Sequence, residues 1–511
     1  MKMVVGEIAG RGTLFGFECC DECDGFGMWV QGRRMRTRRI LGSWTVLAAV
    51  VCVGLSAAAS AQDAASGKAA APAAVQLREA DARYKVDILL VVAHPDDEGA
   101  ATAYVARAID EGKRVAVVYG TRGGNGGNEV GTEQAKALAT IREIEARRAN
   151  ATLGIANVWF LDGKDTAGQD VLVSLANWEH GAALEQLVRL MRLTRPEVVL
   201  TFLPGTFIGE DHGDHQAAGV LATEAFDLAG DPTVFPSQVA EPLKRLEPYL
   251  EGLRPWQPKK IFYFPDAERE DIFKGTGPSY SVKEISKSSK KPYWRASLDA
   301  FRLHQTQAKS FADQLDKMDD AAIEKMMQAD GWADEQRFVL GKSLVGGVTT
   351  DPIFAGIESG AIPFRRAAFS VEAPKGGVAV TLAGPWSFYA EFRAAHGLTH
   401  LPHPEPPEIA LQEATTLVVP LWVRNSAGSP AEVRLSADVP KGWTVSSGAG
   451  KVKVGANQTA GTRVEIALGS LKDAAKGRDA AEAVTVKAES GGKSVGEIVM
   501  KVELRKKALP E

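Results

Sequence analysis

The run Val86-Asp87-Ile88-Leu89-Leu90-Val91-Val92 ends directly in Ala93-His94-Pro95-Asp96-Asp97-Glu98. A nearly continuous β-branched and apolar stretch suits a strand buried on both faces, and such strands belong to parallel sheets covered by helices. The segments that follow keep this rhythm. Residues 98–112 read as a helix ending at Gly112, Arg114 to Tyr119 as a second strand, and 133–152 as a long helix ending near Gly154. Val158 to Leu161, residues 182–194 and Val198 to Phe202 repeat strand, helix and strand. The expectation is an α/β domain over 84–345 with a largely parallel sheet and helices on both faces.

Within that Rossmann-like frame, the stretch after about residue 205 is less regular. It holds a helix after Gly213, a strand at Lys260-Ile261-Phe262-Tyr263-Phe264, a polar Ser/Lys-rich segment 283–291 read as a mobile loop, and a helix at 295–316. Beyond about residue 370 the period changes. Residues 417–424, 432–438, 462–467, 483–489 and 495–504 alternate apolar and polar side chains, with turns such as Pro440-Lys441-Gly442 between them. Short alternating strands at this spacing predict an all-β, immunoglobulin-like sandwich over 408–511, without the cysteine pair. Residues 346–407 are expected to connect the two domains, with the proline-rich Leu401 to Pro407 as a hinge.

The N-terminus reads as targeting sequence. Arg33-Arg34-Met35-Arg36-Thr37-Arg38-Arg39 precedes an apolar run from Ile40 to Leu55 and a small-residue end at Ala59-Ser60-Ala61. That order predicts a signal peptide over 35–61, cleaved after Ala61, and an exported protein, periplasmic or extracellular, with no stable membrane span after cleavage. A membrane anchor is the alternative, but the apolar run is short for one. Residues 1–34 read as a spurious extension ahead of a true start at Met35, and 62–83 as a flexible linker. All four cysteines, Cys19, Cys20, Cys23 and Cys52, precede the expected cleavage point, so any metal must be held by His and carboxylate. The net charge of −4 forms no basic stripe, which argues against a nucleic-acid partner.

Two histidine patterns can build a site. His94-Pro95-Asp96-Asp97-Glu98 follows the first buried strand, and His212-Gly213-Asp214-His215 follows the strand ending near Phe202. Ligands of open α/β sheets bind beyond the carboxyl ends of strands, so the fold can bring both together. Three consecutive acids repel one another unless a cation lies among them. Catalytic zinc takes three His or carboxylate ligands and leaves a position open, which His94, Asp97 and one histidine of the second pattern satisfy. Asp96 is then placed to accept a proton. Helix capping explains one or two of the acids but not the histidines. At a helix start, His212 and His215 can face the same way, one binding metal while the other, held by Asp214, donates a proton.

These motifs resemble those of the PIG-L (LmbE-like) deacetylase family. Further matches are Thr121-Arg122-Gly123-Gly124, Arg142-Glu143-Ile144-Glu145, Leu153-Gly154, Arg195-Pro196-Glu197-Val198-Val199 and His304-Gln305-Thr306-Gln307, all within about 84–345. The resemblance implies a zinc-dependent N-deacetylase or amidase acting on N-acetylglucosamine-containing molecules, with iron(II) as another candidate metal. It places the metal ligands on His94, Asp97 and His215, the general base on Asp96, and the second catalytic histidine on His212 with Asp214 as its partner. Where the family usually has proline, this chain has Gly213. His304 is similar to a late family histidine, with a packing or helix-capping role as the alternative. The loop Gly123 to Asn128 lacks a phosphate-loop ending and reads as a substrate-contacting loop or a turn. The alternatives are an amidase for a larger acyl or thiol conjugate, and a non-catalytic carbohydrate-binding protein. The expected partner is a small molecule or glycan; nothing in the sequence fixes the oligomeric state.

Overall fold

In the computed structural model, β1 (Ile88–Val92), β2 (Val115–Tyr119), β4 (Val198–Phe202) and β5 (Lys260–Phe264) are buried along their whole length, as continuous apolar strands between two helix layers must be. The description covers residues 81–505 apart from 206–211, 242–249, 266–272, 330–333, 367–375, 413 and 470–480. The expected signal segment 35–61, the extension 1–34 and most of the linker lie outside the described residues.

With β3 (Asn157–Phe160), these strands run parallel; Ser279–Ser281 (β6) and Glu335–Arg337 (β7) form a separate two-stranded ladder, and β8 (Val339–Ser343) closes the main sheet antiparallel to β5. The order is β3-β2-β1-β4-β5-β8. The chain therefore reverses direction across the sheet between β1 and β4, the point at which such folds open a crevice at the strands' carboxyl ends. His94 lies just past one of these ends, and His212 follows the other in sequence.

The helices are α1 (Thr102–Asp110), α2 (Ala135–Thr152), α3 (Val171–Asn177), α4 (His180–Thr194), α5 (Gly213–Leu228), α6 (Pro236–Val239), α7 (Tyr293–Phe301), α8 (Gln305–Leu315), α9 (Asp320–Ala329) and α10 (Pro385–Ala395). Gly112 and Gly154 follow α1 and α2 with φ of +80° and +83°, the left-handed ending that glycine adopts without strain. The single helix expected at 295–316 is two, α7 and α8, broken before His304, whose ψ of 64° lies outside the helical range. Its imidazole reaches Glu98 Oε1 at 2.6 Å, a buried contact that holds the break. The segment expected as a mobile loop is fastened: Asp110 Oδ2 accepts hydrogen bonds from Ser286 Oγ at 2.6 Å and Lys287 N at 2.7 Å.

At the sheet's other end, Glu197 is buried between Lys85 Nζ, at 2.8 Å, and Lys259 Nζ. A buried carboxylate needs such partners. The Arg195-to-Val199 segment thus serves the fold, on the side away from His94.

The C-terminal region is built on the other burial scheme. β9 (Val378–Leu382), β11 (Thr416–Asn425), β13 (Thr444–Ser447) and β15 (Gln458–Ala467) form one sheet. β10 (Glu408–Gln412), β12 (Ala431–Asp438), β14 (Gly450–Val454), β16 (Glu482–Ser490) and β17 (Lys493–Arg505) form the other. Along β11, Leu417, Val419, Leu421 and Val423 are buried and alternate with more exposed residues. They share one core with Val433, Leu435, Val484, Val486 and Val502 of the opposite sheet. Within 346–407, β9 pairs with β11, while α10 puts Tyr389 and Phe392 into the core of the α/β domain.

Candidate functional site

The structure brings together five of the six residues singled out in the two histidine motifs, His94, Asp97, His212, Asp214 and His215, with Asp96 the neighbour of Asp97 on the same turn. β1 delivers the first motif, and its turn is tied by a side chain: Asp97 Oδ2 accepts hydrogen bonds from Ala93 N at 3.0 Å and His94 N at 2.6 Å. Asp97 Oδ1 faces His215 Nε2 at 3.2 Å, and His94 Nδ1 lies 3.5 Å from Asp97 Oδ2. The rings of His94 and His215 are 5.3 Å apart, and that of His215 stacks on Phe202 at 4.4 Å, so the last residue of β4 fixes the second imidazole.

Asp214 is fully buried and its Oδ2 is shared. It accepts from Thr166 N at 2.8 Å and faces His94 Nε2 at 3.1 Å, with His212 Nδ1 further off at 3.8 Å. The expected partnership of Asp214 with His212 is therefore the looser one; its closer histidine is His94. The carboxylates Asp97 and Asp214 overcome the effect of burial on His94 and push its pKa up to about 10, while His215 and His94 overcome the effect of burial on Asp97 and hold its pKa well below the usual carboxylate range. Two clusters result, His94–Asp97–His215 and His94–His212–Asp214, each with its donor atoms within 4.8 Å of one another.

Do these donors suit a metal? Two ligands of a tetrahedral zinc, each about 2.0–2.1 Å from the ion, stand roughly 3.3 Å apart. The 3.2 Å between Asp97 and His215 matches that spacing, and the donor set is the His-and-carboxylate one that catalytic zinc takes. The residues fit.

Asp96 is held differently. Its φ of 111° is a left-handed conformation that a non-glycine residue adopts only under constraint, a strain often found at functional sites. Its backbone N donates to Glu98 Oε2 at 3.0 Å. Burial, and then the charge of Asp97, push its carboxyl up to about 7, against the opposing pull of His304. A carboxylate poised there can take and release a proton near neutral pH.

Three residues behind the motif were not legible as a unit. Glu98 is buried between Asp96 N and the fully buried His304, so the late histidine belongs to the wall behind the acidic turn. Gln307 Nε2 donates to Pro95 O at 2.6 Å and fixes the same turn. The signal lay in His304-Gln305-Thr306-Gln307, but its partner could not be read without the fold. The glycine loop wraps Arg142: Gly127 O accepts from Arg142 Nη2 at 2.7 Å, and a Cβ at Gly126 would stand 2.6 Å from the guanidinium. It is a backbone clamp on a buried cation and also lies beside Pro95. His180, His396, His400 and His403 find partners elsewhere.

Residues 89–226 match the family model PIG-L, described as GlcNAc-PI de-N-acetylase. A relative from Thermobifida fusca (strain YX), a 1D-myo-inositol 2-acetamido-2-deoxy-alpha-D-glucopyranoside deacetylase, is 31% identical over 246 residues, covering 43% of this chain and 82% of that protein. This chain belongs to the PIG-L family. A second relative of the same activity, from Catenulispora acidiphila, is 32% identical and covers 30% of this chain; the chain spans about half of that protein, 52%. The solved N,N'-diacetylchitobiose deacetylase of Pyrococcus horikoshii covers 50% of this chain and 84% of that one at 19% identity, with a TM-score of 0.32. As a PIG-L protein the chain is an enzyme, a deacetylase that hydrolyses a carbon–nitrogen bond other than a peptide bond. The PIG-L match ends within α5, so the two C-terminal sheets are an addition to it.

Proposed function

We propose that this chain removes the N-acetyl group from a glucosamine-containing small molecule or glycoconjugate, outside the cytoplasm. The observation that carries the reading is the meeting of His94, Asp97 and His215 around one point, with Asp96 on the acidic turn and His212 on the adjoining helix. We assign His94, Asp97 and His215 as ligands of zinc, with iron(II) as the other divalent candidate. The metal, when bound, would polarise the amide carbonyl and acidify the attacking water.

The chain's own residues account for the proton movements. Asp96, ionised, takes the proton from water as the carbon–oxygen bond forms. His212, as the imidazolium acid, hydrogen-bonds the developing oxyanion and gives its proton to the leaving nitrogen as the carbon–nitrogen bond breaks, so that the amine departs neutral. Asp214, a buried carboxylate, supports that positive charge and orients His94 through the 3.1 Å contact, the outer carboxylate that metal-binding histidines commonly have. The relatives are named for deacetylation of an acetamido-glucopyranoside, which favours an N-acetylglucosamine unit over a larger acyl or thiol conjugate.

Export follows from the signal pattern at 35–61, and an envelope or extracellular glycan is the substrate such an enzyme would meet. We assign 84–345 to catalysis and 408–511 to an immunoglobulin-like sandwich, a reading supported by two facing sheets with alternating burial. The test is acetate release from N-acetylglucosamine, chitooligosaccharides and inositol-linked N-acetylglucosamine. Activity should vanish with a chelator and return with zinc. No acetate from any of them by zinc-loaded protein, or activity indifferent to chelation, would overturn the proposal.

A further inference from the structure

The first turn of α5 carries His212, Asp214 and His215, yet the side chain of its N-cap residue, His212, makes no capping hydrogen bond. Helix ends left uncapped fray, and a frayed turn cannot hold imidazoles to the tolerance that metal binding and proton transfer demand. The turn is instead held from outside. Gly213 N donates to Gly168 O at 2.7 Å, and Thr166 N donates to Asp214 Oδ2 at 2.8 Å, so the segment 163–170 braces one side. On the other, the Tyr389 hydroxyl donates to Oε1 of Gln216, the residue after His215. Both groups are buried: Gln216 is 0% and Tyr389 3% exposed.

Both tethers lead to the C-terminal region. Tyr389 stands on α10, which joins the two cores: Tyr389 and Phe392 belong to the α/β core, while Trp386 packs against the core of the two-sheet region. At its far end, His396 Nδ1 meets Asp227 Oδ2 at 2.7 Å, near the end of α5. The brace 163–170 is gripped in turn by β10, where Ala410 N donates to Gln169 Oε1 at 3.2 Å.

We propose that the C-terminal region is a working part of the active site, with Tyr389 a positioning residue for the α5 turn and the Ala410–Gln169 contact the second tether. The inference rests on the reading of the site given above. Removing the hydroxyl leaves the helix fold and the core volume intact but frees Gln216 and the turn beside it. Outer groups of this kind alter metal affinity or activity by roughly 10–100-fold when lost.

The test uses the full zinc-loaded chain. Tyr389→Phe should lower kcat for acetate release about tenfold or more, with KM within about twofold, and should weaken zinc retention against a competing chelator by a similar factor. Gln169→Ala, which cuts the second tether without touching α10, should shift both readouts in the same direction. His396→Ala, which loosens α10 at the far end of α5, should lower the melting temperature while leaving kcat and zinc retention unchanged. Unchanged kcat and zinc retention in Tyr389→Phe would overturn the inference. So would parallel losses in all three variants that track melting temperature, since Tyr389 would then be only a fastener. If the unaltered protein neither retained zinc nor released acetate, the reading of the site would fall first and this inference with it.

Discussion

The α/β domain and the C-terminal sheets spend burial in opposite ways. In β1, β2, β4 and β5 every residue is buried, and beyond the carboxyl ends of β1 and β4 Asp97 and Asp214 gather around three histidines. In β11 every second residue is buried, and the opposite face meets a more open surface. The first scheme produces a crevice of concentrated charge; the second produces a wall. Substitution at the crevice should cost turnover and substitution deep between the two sheets should cost stability, with the contacts of Tyr389 and Ala410 the places where the second region reaches the site.

The largest effect is expected at the crevice. Asp96→Asn keeps the shape of the side chain but removes the proton acceptor, and general-base loss typically costs about 10²–10⁴ in rate. Acetate release should fall by that factor while metal content, read by elemental analysis, stays at one ion per chain. The same carboxyl sets the pH dependence. Its pKa, pushed up to about 7, must be crossed for it to act as base, so kcat/KM should fall as pH drops through that value. A cation beside Asp97 favours the charged form of Asp96, which places the acid limb at or below pH 7. A profile flat down to pH 4 would break the assignment.

The matching test of the wall is Leu421→Ala. Leu421 is fully buried between the two sheets, and such truncations cost about 2–5 kcal/mol. Thermal or denaturant unfolding should register that loss, with kcat per folded molecule within about twofold. A tenfold drop in kcat with little loss of stability would erase the division of labour.

How far this division was legible follows from the patterning itself. The continuous run Ile88 to Val92 and the alternating run Leu417 to Val423 differ in period, and each period states how many faces are covered. The grouping of His94, Asp97, His212, Asp214 and His215 was legible because charge at the end of a doubly buried strand needs an explanation. The rest depended on pairings distant in sequence. Glu98 and His304 are 206 residues apart, and each alone reads as a cap or a core histidine. Likewise β9 and α10 lie in a stretch whose composition suggested only a connector; Tyr389 acquires meaning from Gln216, 173 residues earlier. Local sequence announces periodicity, but not which buried polar group will meet which.

Glu98→Gln tests one of those unread pairings, with a smaller expected effect. The amide keeps the size of the side chain but gives up the charge that faces His304 at 2.6 Å and holds the nitrogen of Asp96. Loss of an outer partner of this kind should reduce kcat/KM by about 10–100-fold, with metal retained. His304→Gln should produce a loss of similar size, and the double variant should be little worse than either single one, because both act through one contact. Additive losses would show that the two act separately.

The smallest effect is expected at Gly213. Gly213 stands where the family usually has proline, at the first position of α5, and proline is well tolerated at such a position in general. Here the backbone N of Gly213 donates to Gly168 O at 2.7 Å, and even a Cβ would stand 2.8 Å from Ser174 Oγ and 3.0 Å from the Asp170 carbonyl. Gly213→Pro would remove that hydrogen bond, worth about 0.5–1.5 kcal/mol, and force the brace 163–170 outward. Stability should fall by about 1 kcal/mol, and the contact between Gln169 and Ala410 should loosen, visible as faster hydrogen exchange at the Ala410 amide. Equal or greater stability in the proline variant would mean that the brace is not held through residue 213.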